Sequence, residues 1–275
     1  MFDDTGSQTM QRVRGRAAVG FAARADGSCR LSRLDQAGSA KAFLPSTHRA
    51  VPEVVFLNTA GGLTSGDRLE YRMTVPQGGV VTATTQTAER AYDAGGGPSA
   101  EVSVGAEVAA GGRLDWLPQE TILYDGAALT RRTEIALSGD ATCLLAETLV
   151  LGRAAMGETV GRLALFDSRR VLRDGIPVFA DPVRLGPDVL SDDGPALLGG
   201  ARALATVALV GPGAEDAAHG LRALTAPEGV RWAVSGWNGR TLIRAVAGDG
   251  FEMRRAVAQW LQHLRGGPLP RVWQG

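Results

Sequence analysis

The stretch RLEYRMTVPQGGVVTATT, residues 68–85, decides the architecture. Leu69, Tyr71, Met73 and Val75 alternate with Glu70, Arg72 and Thr74, the period-two pattern of a half-buried strand. Pro76-Gln77-Gly78-Gly79 breaks that pattern, and the β-branched run Val80 to Thr85 follows, so the stretch reads as a hairpin. The arrangement recurs. Val102, Val104, Ala106 and Val108 lead through Gly111-Gly112 into Leu114 to Leu117, and Thr133, Ile135 and Leu137 lead through Ser138-Gly139-Asp140 into Cys143 to Leu145. Three such units at uneven spacing predict a mainly β protein, a β-helix-like stack of strands and hairpins rather than a solenoid of fixed period.

Towards the C-terminus the pattern changes. Residues 214–225 and 251–265 have helical character, and Ala256, Val257, Trp260, Leu261 and Leu264 form one apolar stripe. Between them Val230 to Val246 reads as a hairpin turning at Asn238-Gly239. The expected organisation is one domain over 1–275: a flexible start at 1–12, a β core over 13–200 and a mixed α/β cap over 201–275. Residues 186–200, rich in Asp, Pro and Gly, are the best candidate for a mobile loop.

Composition narrows the chemistry. Zero formal net charge gives no reason for nucleic acid or acidic lipid to bind, and no apolar run is long enough to span a bilayer. With a polar, acidic start in place of a signal peptide, the expectation is a cytoplasmic protein. Cys29 and Cys143 lack CxxC spacing and are expected to be reduced thiols. The glycines of NTAGGLTSGD (58–67) invite a phosphate-loop reading, but neither the lysine nor the following helix that such a loop requires is there. His48, His219 and His263 are scattered, and HExxH and GxSxG are absent, so zinc-hydrolase and serine-hydrolase readings lack their parts. What remains is carboxylates near turns and strand ends: Asp67, Asp115, Glu120, Asp125, Glu147 and Glu158. Glu120 and Glu147 lie in strongly apolar surroundings and call for a partner, either Arg153, Arg132 or a cation.

The segments NTAGGLTSGD (58–67), TTQTAERAY (84–92), LDWLPQETILYDGA (114–127), ETLVLGRAAMGE (147–158) and LPRVWQG (269–275) resemble, in this order, those of the urease accessory protein family UreD, also called UreH. Gly61, Gly62, Gly66, Gln86, Tyr92, Trp116, Pro118, Gln119, Arg153, Gly157, Arg271 and Trp273 belong to them as structural or partner-facing positions. The chain departs from the family in having Ser65-Gly66 before Asp67, and Arg90 two residues before Tyr92. The resemblance implies a non-catalytic metallochaperone or scaffold with no tightly bound cofactor. It would bind UreF, reach the GTPase UreG through UreF, and dock on apo-urease while nickel is delivered through its β core. Carboxylates bind nickel more weakly than imidazole or thiolate do, which suits a conduit. Asp67, Glu120, Glu147 and Glu158 are therefore the candidate positions of a transient Ni2+ route. Their alternative is structural ion pairing, such as Glu147 or Glu158 with Arg153. Two other functions compete: a pure interaction scaffold without metal contact, and a carboxylate-dependent hydrolase. The hydrolase would need two acids facing each other across an aromatic-rich cleft, and aromatics are only 5% of the chain.

Overall fold

A computed structural model describes residues 12–47, 49–153, 156–191, 194 and 197–274. The expected flexible start at 1–12 lies, apart from Arg12, outside the described residues, as do His48 and residues 192, 193, 195 and 196 of the expected mobile loop. The first strands are β1 (Arg14–Ala23), β2 (Cys29–Gly38), β3 (Ala40–Phe43), β4 (Glu53–Asn58), β5 (Arg68–Val75) and β6 (Val80–Thr85). Then come β7 (Glu89–Ala91), β8 (Ala100–Val108), β9 (Arg113–Leu117), β10 (Thr121–Leu123), β11 (Ala127–Leu137) and β12 (Thr142–Leu151). The chain continues with β13 (Leu163–Arg173), β14 (Ile176–Leu185), helix α1 (Pro187–Ser191), β15 (Ala203–Val210) and α2 (Ala217–Arg222). It closes with β16 (Val230–Trp237), β17 (Arg240–Ala247) and α3 (Gly250–Arg265).

The strands form two facing sheets, ordered β14-β13-β11-β8-β5-β1-β2 and β16-β17-β15-β12-β9-β6-β4-β3. The mainly β stack is as expected, but residues 69–85 are not a hairpin. β5 pairs in parallel with β1 and β8, whereas β6 pairs in parallel with β4 and β9. The Pro76 to Gly79 turn is therefore an arch that carries the chain from one sheet to the other. The two later units behave likewise, with β8 and β11 in the first sheet and β9 and β12 in the second. Their turns stack on one another, Gly78 N–H donating to Ala110 O at 3.0 Å and Gly111 N–H to Asp140 Oδ1 at 2.6 Å. Pairs such as Arg68 with Glu101, Glu101 with Thr130 and Thr130 with Phe166 mark rungs of unequal length.

Leu69, Tyr71, Met73 and Val75 point between the sheets, where Phe56 meets Tyr71 and Trp116 at ring-centroid distances of 4.7 and 6.1 Å. The second sheet is also covered on its other face. Met253, Val257, Trp260 and Leu261 of α3 bury against Leu144, Ala146, Ala205 and Ile243, which explains why β12 is apolar almost throughout. The helical and hairpin readings of 214–265 hold: α2 and α3 lie within the expected segments, and β16 and β17 turn at Asn238-Gly239, both with positive φ.

The two ends of the sandwich differ. At one end the chain crosses from β2 in the first sheet to β3 in the second through Gly38, whose φ is +63° and where a Cβ would stand 1.8 Å from Arg14 O. At the other end β14 and β16 are the last strands of their sheets, and neither pairs further among the described residues.

Candidate functional site

Polar side chains break the apolar interior along one line. On β13 the inward alternation Leu163, Leu165, Val171 is interrupted by Asp167 and Arg169, and on β11 Arg131 sits in register beside Asp167. Arg131 donates to Asp167 through Nε and Nη2 at 3.0 and 2.7 Å, and its Nη1 lies 2.7 Å from Glu147 Oε2 on β12 of the facing sheet. The same Nη1 donates to Thr121 Oγ1 at 2.9 Å. Glu147 Oε1 accepts from Trp116 Nε1 at 3.1 Å and from Thr133 Oγ1 at 3.3 Å. Beyond Asp167, Arg169 lies 3.3 Å from Asp181 Oδ2, and Asp181 pairs with Arg244 at 2.5 Å. The line thus alternates in sign from Glu147 through Arg131, Asp167, Arg169 and Asp181 to Arg244. Arg244 is 62% exposed, so the line reaches solvent at the open end.

Alternation makes so much buried charge tolerable, since each carboxylate lies against a guanidinium. Burial pushes the Glu147 carboxyl up, because Arg131, shared with Asp167, offsets only part of that cost. Burial acts on Asp167 too, but there Arg131 and Arg169 outweigh it and hold the carboxyl below its usual range. Glu89, beside this line on β7, is pushed up to about 6 by burial, partly opposed by the Arg90 N–H, Asn58 and the charge of Arg131.

Two cavities meet Glu147. An outer groove of about 370 Å³ at the open end is lined by Glu147, Arg169, Thr206, Arg231, Trp232 and Arg244 among others. An inner cavity of about 40 Å³ is lined by Glu147, Glu89, Arg131, Thr121, Thr85 and Gln119, with Tyr71, Trp116 and Pro118. Glu147 is the carboxylate shared by both.

The other three candidate carboxylates lie elsewhere. Asp67 is buried, and its oxygens accept from the backbone N–H groups of Val13 and Thr64, each at 2.8 Å; the turn with Gly61, Gly62 and Gly66 places it to clasp the entry to β1. Glu120 pairs with Arg254 of α3 at 3.2 Å. Glu158 pairs with Arg153 at 2.8 Å and accepts from the Asp125 N–H at 3.2 Å. The Glu158–Arg153 pair is thus the one anticipated, whereas Glu147 takes Arg131 and Glu120 takes Arg254, not Arg132 or Arg153. Asp115 lies between Arg113 and Arg265, each at 2.9 Å, and Arg162 holds the Asp125 carboxyl down at about 2. Among the described residues no three of His, Cys, Asp and Glu converge as metal ligands. Both cysteines are free, and burial pushes the Cys143 thiol up to about 12.

The remaining motif residues fall into two groups. On the loop edge opposite the arches, Tyr92 donates to Gly61 O at 3.3 Å and packs edge-on to Tyr124 at 4.9 Å, and the Arg153 guanidinium lies 4.7 Å over the Tyr124 ring. Exposed Gln86, Met156 and Gly157 lie on these same connections. At the C-terminus, Trp273 donates to Leu117 O at 3.0 Å, Gln119 donates to Val272 O at 3.3 Å, and Arg254 donates to the Gln119 amide oxygen and lies over the Trp273 ring. Pro118 is buried under this seal, while Arg271 is exposed on the closing 3-10 turn.

Sequence reasoning found Glu147 but missed Glu89, Arg131, Asp167, Arg169 and Asp181. For Arg131, Asp167 and Arg169 the available signal was charge at inward positions of otherwise apolar alternation on β11 and β13.

A family model described as UreD urease accessory protein matches residues 13–274. A protein called urease accessory protein UreD from Cereibacter sphaeroides is 56% identical over 266 residues, covering 96% of each chain. Proteins of the same description from Dinoroseobacter shibae and Paracoccus denitrificans are 52% and 48% identical, covering 98% and 100% of this chain and 95% and 96% of their own.

Proposed function

The chain belongs to the UreD urease accessory protein family, and from that premise we propose that it serves urease maturation as a non-catalytic factor that conveys nickel through its β sandwich. The observation that carries this reading is the position of Glu147, the carboxylate common to the outer groove and the inner cavity. Around the inner cavity the donors are oxygens, those of Glu147, Glu89, Gln119, Thr121 and Thr85. Such donors hold a borderline ion like nickel weakly and release it readily, as passage requires. The route so drawn keeps Glu147 and adds Glu89. Asp67, Glu120 and Glu158 stand outside it, holding a strand entry, a helix and a loop.

The partners implied by the family are UreF, UreG through UreF, and apo-urease, in the cytoplasm. Exposed Tyr92, Arg153 and Met156 give the loop edge the residue types that anchor protein interfaces. That edge also favours the second reading, a scaffold that holds partners without touching metal. No helix among the described residues is long and apolar enough to cross a membrane.

The two readings separate on one experiment. Urease is matured in cells carrying wild-type chain, Glu147→Ala or Glu147→Gln, and both nickel per urease and the amount of partner complex are measured. The conduit reading predicts that nickel falls in both variants while the complex is retained. Full nickel with either variant would leave only the scaffold.

A further inference from the structure

Three guanidiniums, those of Arg169, Arg231 and Arg244, line the outer groove. Asp181 pairs with Arg169 and Arg244, Glu147 is engaged by Arg131, and the charge of Arg231 faces carbonyls alone among the described residues. Arg169 is 2% exposed, and its Nη2 has no hydrogen-bond partner among the described residues, although Asp181 Oδ2 lies 3.3 Å away. Asp181 offsets the charge without taking that N–H in a hydrogen bond, and a buried guanidinium N–H with no hydrogen-bond acceptor is uncommon. Arg231 at the rim is anchored through Nη2 to the carbonyls of Leu198 and Gly199, at 3.3 and 3.5 Å. Arg244, on the neighbouring strand and the same face, is held by Asp181 and exposed. Around these cations the wall is apolar, with Leu149, Val183, Leu204 and Val246, while the Trp232 ring packs on the opposite face of the sheet against Trp260.

From this arrangement we infer that the groove is a binding site for a small organic carboxylate. Its oxygens accept from Arg169 Nη2 and from the rim guanidiniums of Arg231 and Arg244, and its carbon skeleton lies along Leu204 and Val246. The planar guanidinium fork matches a carboxylate better than a spherical anion, and the volume of about 370 Å³ falls in the range of small-ligand pockets. The inference rests on the same groove as the nickel reading and complements it. A carboxylate bound there offsets the charge of Arg231 at the mouth of the groove, so that the metal approaches Glu147 accompanied by that acid.

The test uses the full chain without nickel or partners, so that it fails independently of the metal route. Succinate is titrated calorimetrically at constant ionic strength made up with chloride, against wild type, Arg231→Ala, Arg244→Ala and, as a control far from the groove, Arg33→Ala. We expect saturable binding to wild type and Arg33→Ala, weakened at least about tenfold by either rim substitution. Arg244→Ala also removes a partner of Asp181; if it lowers the melting temperature, Arg231→Ala decides alone. Absence of saturable succinate binding, or wild-type affinity in Arg231→Ala, overturns the inference. If binding fails while Glu147→Ala still lowers nickel delivery, the carboxylate site is wrong and the metal route stands.

Discussion

Glu89, half-buried, and Glu147, buried, line one cavity, and they make different predictions. Folding raises the Glu89 carboxyl from about 4.5 to about 6, so the folded state favours its protonated form. The associated stability is fully present below about pH 4.5 and is lost as pH rises through 6, a span worth at most about 2 kcal/mol. Glu89→Gln should therefore stabilise the chain relative to wild type at pH 7.5 and make little difference at pH 4.5, read from denaturant melts at both; a pH-independent difference would contradict the assignment. Glu147→Ala strips Arg131 of one of its two carboxylates and leaves the Trp116 N–H unpaired, at a cost of roughly 3–5 kcal/mol. Glu147→Gln keeps an acceptor for Trp116 and should cost less in the same melts. At Gly62 a Cβ would stand 2.3 Å from the Tyr92 ring and 2.9 Å from Arg90 O. Gly62→Ala should thus displace Tyr92 and destabilise by about 1–3 kcal/mol, visible as loss of the Tyr92–Tyr124 contact in aromatic NMR spectra. Residue chemistry was partly legible. An acid amid Leu144, Leu145 and Leu149 announces that it has a partner, and the alternation Leu129, Thr133, Ile135, Leu137 puts Arg131 and not Arg132 on the inward face of β11. That this face meets Glu147 of β12 is a property of sheet packing, absent from either segment alone.

At the scale of elements, strand positions were legible and strand partners were not. The alternation over 69–75 marks a strand with one buried face whichever neighbour it takes. A glycine-rich turn is equally compatible with a hairpin and with an arch; what separates them is that β1 and β8 pair with β5 in parallel on its two edges and leave none for β6. The α3 helix was readable because its apolar stripe and its start are local. Asp249 accepts from the Phe251 N–H at 2.6 Å and from the Glu252 N–H at 3.4 Å, and Gly266 closes the helix with φ +62°. Asp249→Ala should cost about 1 kcal/mol in a thermal or denaturant melt. Because α3 covers the second sheet and carries Arg254 to Gln119, Trp260→Ala should cost more, about 3–5 kcal/mol, with loss of the ring contact to Trp232.

At the scale of the whole molecule, the chain is a sandwich closed at one end and open at the other, with a line of alternating charge running inward from the opening. Family-like segments distant in sequence come together as the loop edge and the C-terminal seal, so family membership was legible from motifs before any strand was paired. The line of charge was not, because its members come from β11, β12, β13, β14 and β17, and only pairing aligns them. In the role proposed for it, the chain helps urease acquire its nickel. The most direct measurement is nickel per urease, with urease activity, in cells expressing the urease subunits and the other accessory proteins, with and without this chain. Both should collapse in its absence and return when it is supplied; urease that fills with nickel equally well without it would contradict the proposed role.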